Sequence, residues 1–172
     1  MSAHCAARRA GAVLLLAVLL AGCGGSSDGK TTADSDPAAG AVDGARAYMS
    51  AVLARDWERA CAMMAAARQD LCRTIHATPE TPEPGGPVIG PVTLDRPATR
   101  APGLRLHPEG WAVMLSHTVA WSGRPVSTTR IALRMVAEAG QWRVDQREDV
   151  FDSDLVHAPD PAVAALSRRS AQ

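Results

Sequence analysis

Asparagine is absent from this chain of 172 residues, lysine occurs once (Lys30), and phenylalanine and tyrosine occur once each (Phe151, Tyr48). Alanine and arginine abound instead, a usage that looks like that of a gene from a high-GC bacterium. No charge of one sign prevails either, since 18 basic and 18 acidic residues balance to zero. Electrostatic capture of nucleic acid needs a dense basic face, so no nucleic-acid partner is expected. Long hydrophobic runs are lacking too. Residues 11–21 are apolar, but a spanning helix needs roughly 20 such residues. The cysteines and histidines assemble no zinc ligand set, and no cofactor is read from the chain.

What is present begins at the N-terminus. Arg8 and Arg9 make residues 1–10 basic, the apolar run follows, and Leu20-Ala21-Gly22-Cys23 closes it. This pattern resembles a bacterial lipobox. The resemblance implies that residues 1–22 are a cleaved signal peptide and that Cys23 is the lipidated first residue of the mature chain. The protein would then sit on the extracytoplasmic face of the cell membrane, with the membrane itself as a partner. A buried methylene contributes about 0.8 kcal/mol, so several acyl chains hold where one does not. Arg8 and Arg9 leave with the signal, so 16 of the 18 basic residues remain against 18 acidic ones, a net of −2. Cys5 leaves as well, and Cys23 carries lipid. Cys61 and Cys72 remain in an oxidising compartment, where disulfides persist; two buried free thiols are the alternative.

Residues 23–40 contain no large apolar side chain and read as a lipidated cysteine with a polar tether. A single domain is expected over 41–150. Val42, Ala45, Met49, Val52 and Leu53 recur at helical spacing. Asp56 then precedes a second helix as its cap, with Ala60, Cys61 and Met64 inward. In one unbroken helix Cys61 and Cys72 would stand about 16 Å apart, whereas a disulfide tolerates Cα separations of about 4.4–6.8 Å. Pairing them demands a bend between Met64 and Asp70, yet Ala65-Ala66-Ala67 favours a continuous helix. Prolines and glycines over 78–91 mark a connector.

Strict alternation over 111–121 and again over 127–137, with a short hairpin into 141–148, predicts antiparallel strands. Residues 91–95 and 103–107 are weaker strand candidates. The tail, 151–172, reads as poorly ordered, with no more than a frayed helix over 160–169. The expectation is an α+β fold in which two to three N-terminal helices pack on a curved antiparallel sheet of four to six strands.

Ala45–Tyr48, Ala54-Arg55-Asp56-Trp57, Ala60-Cys61, Leu71-Cys72 and the terminal Gly140-Gln141-Trp142-Arg143-Val144-Asp145 resemble small actinobacterial lipoproteins with a nuclear transport factor 2-like domain. The resemblance implies a cone, a sheet wrapped around helices, with an apolar mouth. Strand parity directs Trp111, His117, Trp121, Trp142 and Gln146 into it as pocket-lining candidates, with no acid among the inward positions and Asp145 outward. Ser122 belongs to a turn. His117 is the one candidate for a base. The expected function is a binding or assembly module for an apolar small ligand or an envelope protein; the alternative is an isomerase- or cyclase-like enzyme with His117 as base.

Overall fold

The computed structural model describes residues 36–78 and 85–168. The proposed signal peptide, Cys23 and most of the tether lie outside them. Helix α1 spans Pro37–Leu53, α2 Trp57–Ala62 and α3 Ala66–Ile75. The strands are β1 Val88–Ile89, β2 Thr93–Leu94, β3 Thr99–Ala101, β4 Gly110–Ala120, β5 Ser127–Glu138 and β6 Gln141–Asp149. Two helices close the chain, α4 Asp152–His157 and α5 Pro161–Ser167. The architecture is α+β, as expected, with a curved antiparallel sheet of six strands. β4, β5 and β6 are sequential neighbours, while β1, β2 and β3 each pair with a different stretch of β4.

Helix α1 starts earlier than its apolar periodicity suggests. Asp36 caps it through its carboxylate, which accepts from Ala38 N at 3.0 Å, and Pro37 occupies the first turn. Proline there lacks only an N–H that would have no helical partner. Residues 37–40, assigned to the tether by composition, are therefore helical. Ala41, Val42, Ala45, Tyr48 and Met49 face the sheet and meet Val113, Leu115, Ile131, Leu133, Met135 and Val144 in the main core. Each fully buried aliphatic side chain contributes about 1.5–3 kcal/mol.

The disulfide wins over local helix propensity. Helix α2 stops at Ala62, and Ala65 takes an extended backbone (φ −56°, ψ 144°) as the cap residue of α3. Cys61 and Cys72 are joined with their Cα atoms 5.5 Å apart. Sheet hydrogen bonds offset the lost helical ones at this break: Ala65 N donates to Val144 O at 2.8 Å, and Val144 N to Met63 O at 3.0 Å. Residues 63–65 thus lie along β6 as a short added strand, and Arg143 donates to the Ala62 carbonyl beside them.

The C-terminal region corrects the expectation of poor order. Among the described residues of the tail, α5 packs Ala162, Ala165 and Leu166 onto the outer face of the sheet, against Ala112, Met114, Ala132 and Val150. Small residues at the even positions of β4 and β5 are what let a helix approach this closely. Asp160 caps α5 by accepting from Val163 N at 3.0 Å and takes a further hydrogen bond from Thr99 Oγ1. Arg168 reaches the Asp154 carboxylate and the Asp149 carbonyl. The sheet is therefore covered on both faces. No helix among the described residues is long and apolar enough to cross a membrane.

Candidate functional site

Trp111 and Trp142 lie along one groove. β5 and β6 run past the start of β4 and turn through Ala139 and Gly140, both with positive φ (50° and 74°), so glycine suits the second position. Trp111 pairs with Met135, and Trp142 with Ala137. Both indoles face an open groove of ≈ 390 Å³, with Met135 on its floor and Arg100, Glu109 and Glu138 among its walls. Gly40 and Gly44 of α1 seat Trp142: a Cβ at Gly40 would fall 2.4 Å from its Nε1, and one at Gly44 2.9 Å from its Cβ. The Arg100 guanidinium lies 4.5 Å from the Trp111 ring centroid and 3.5 Å from the Glu109 carboxylate. Glu138 Oε2 accepts from Ala66 N at 3.0 Å. With one guanidinium already on an indole face and both carboxylates partnered, the groove leaves no free acid or base poised for proton transfer.

His117 lies elsewhere. It is on the inner face, 8 % exposed, across from Thr129 on β5. No hydrogen bond from a described residue reaches its ring. Burial lowers its pKa, and the charge of Arg147 lowers it further. Arg147 also opposes, more weakly, the upward shift that burial imposes on the Tyr48 phenol. Arg147 is thus close enough to act on both Tyr48 and His117.

Sequence parity does not reveal Arg147, and a bulge is the reason. Met135 pairs with Val144 while the adjacent Arg134 pairs with Gln146, so Asp145 is an extra residue on β6. One extra residue flips the parity of everything after it. Gln146, expected inward, faces outward, accepting from Arg134 Nε at 3.2 Å and donating to Leu166 O at 2.9 Å. Arg147 and Asp149 take inward parity across from Leu133 and Ile131, so the inner face does carry an acid. The two side chains approach to 3.9 Å. No feature of the sequence marked the bulge.

Trp121 is the other correction. It follows β4 and is 42 % exposed, so it lines no enclosed mouth.

The outer face holds a polar cluster that the sequence did not suggest. Arg134 is fully buried and donates from Nη1 to the carbonyls of Pro102 (2.7 Å) and Pro108 (3.1 Å), while its Nη2 is enclosed with no partner among the described residues. Burial lowers its pKa against the opposing effect of Asp145. Asp145 accepts from Arg68 Nε at 3.2 Å and stands 2.6 Å from His107 Nδ1. A carboxylate can orient an imidazole as a base, but His107 has no hydroxyl or thiol partner among the described residues, so the pair works as a clasp for the loop before β4. The described residues contain no cluster of three or more metal-ligating side chains.

No family model, curated protein or solved structure matches this chain. Its function must rest on its own residues.

Proposed function

We propose that this chain is a membrane-anchored extracytoplasmic lipoprotein with a nuclear transport factor 2-like domain, acting as a binding module for an apolar group. The observation that carries the binding reading is the convergence of Trp111 and Trp142 on one open groove. Two indoles offer a large, rigid apolar surface at low entropic cost. A disulfide between Cys61 and Cys72 accords with an oxidising compartment, and the lipobox-like Cys23 supplies the anchor. A second reading, an isomerase- or cyclase-like enzyme with His117 as base, draws on a buried imidazole whose pKa burial and the Arg147 charge both lower. The groove reading is preferred because His117 is not among the residues that line the groove.

Titrating the full chain with oleate, and following tryptophan emission, tests this. Trp111→Ala and Trp142→Ala are expected to weaken the response at least tenfold, and His117→Gln to leave it unchanged. A response lost in His117→Gln but kept in both tryptophan variants would transfer the site to the inner face.

A further inference from the structure

The end of the sheet farthest from the tryptophan groove exposes large apolar side chains on both faces, beside the hydroxyls of Thr118, Ser127 and Thr128. On the outer side Val88 pairs with Ala120, and Val126 stands just before β5 at the equivalent level. On the inner side Ile89 pairs with Val119, and Trp121 comes next along the chain. Val88 is 72 % exposed and Val126 65 %. Between them the turn Ser122-Gly123-Arg124-Pro125 closes with Arg124 N donating to Trp121 O at 3.1 Å. Within 85–94 and 117–129 Arg124 is the one aspartate, glutamate, lysine or arginine, and the next charges along β2 and β5, Asp95 and Arg130, pair with each other at 3.5 Å.

A flat apolar face suits one protein partner. A tip with exposed apolar side chains on both faces suits a medium that surrounds it. Tryptophan collects at the boundary between head groups and acyl chains, and arginine there keeps its charge among the phosphates while its stem lies in apolar surroundings. An arginine at the turn complements an anionic lipid surface. The reach is sufficient. α1 begins at the groove end, where Gly40 and Gly44 pack on Trp142. The chain from Cys23 to Asp36 can extend about 43–47 Å, and the eleven residues of β4 cover about 37 Å. A domain held at Cys23 can therefore lower its opposite end to the same bilayer. We propose that the β1 and β4–β5 tip inserts into the anionic membrane interface as a second attachment. The choice of a membrane as occupant rests on the lipoprotein reading.

The test is quenching of tryptophan emission by brominated acyl chains, in phosphatidylglycerol vesicles carrying the full chain. Parent protein is expected to show a quenched component that Trp121→Phe loses entirely. Arg124→Glu and Val126→Ser should each reduce it several-fold, as should vesicles of phosphatidylcholine alone. Equal quenching in parent and Trp121→Phe, with both proteins co-sedimenting with the vesicles, would overturn the proposal and leave the tip to a protein partner. Intact mass reads the anchor separately. An unacylated parent that shows Trp121 quenching keeps the tip and removes the lipid; an acylated parent without quenching does the reverse.

Discussion

Among single residues, His117 has the clearest thermodynamic consequence. Its pKa in the fold lies below the ordinary histidine value because burial, and then Arg147, disfavour the imidazolium. The unfolded chain therefore binds the proton more readily, and stability falls as pH drops through the unfolded value of about 6.5 toward the lower folded one. Melting temperatures of the parent and of His117→Gln, measured from pH 7.5 to 4.5, should converge as pH falls, because the variant lacks this term. A constant gap between the two curves would mean that His117 is not held neutral. Trp111 and Trp142 were legible as inward residues because parity holds at the start of each strand. Trp121 was not, because parity says which side a residue faces and nothing about whether another element covers it there.

At the level of elements, the α2–α3 pair shows tertiary structure overriding propensity. Alanine is the best helix former, yet Ala65 lies outside both helices and caps the second because a disulfide and two sheet hydrogen bonds act at that point. Closing a loop of this length stabilises by about 2–3 kcal/mol in the chain-entropy model. Cys61→Ser and Cys72→Ser should lower the melting temperature alike, with the double variant no worse than either. Both thiols alkylating in the native, unreduced protein would refute the bond. The long strands and α1 were readable from periodicity. The short strands β1 and β3 were not, since two or three residues carry no period. α5 was legible only as a frayed helix for a related reason: its apolar residues are mostly alanine, which scores weakly as hydrophobic but suits close approach to Ala112 and Ala132. The bulge at Asp145 had no local signal, and it alone displaced Gln146 from the inner face and brought Arg147 there.

At the scale of the molecule, three layers (α1–α3, sheet, α5) stand beyond a segment that ends at Asp36. If Cys23 holds that segment to the membrane, Cys23→Ser should release the protein into the medium or leave an unprocessed precursor. Fractionation that still finds a processed protein on the membrane would sink the lipoprotein reading. The sheet's two rims carry a last consequence. β6 is the end strand on one side, and residues 63–65 already occupy its hydrogen-bonding groups around Val144. On the other side the rim is split among β1, β2 and β3, each of two or three residues, with Pro91 and Pro97 between them. An uninterrupted row of free backbone groups is the template on which sheets polymerise. Neither rim offers one, so copies crowded together on a surface can collide edge to edge without growing into a fibre.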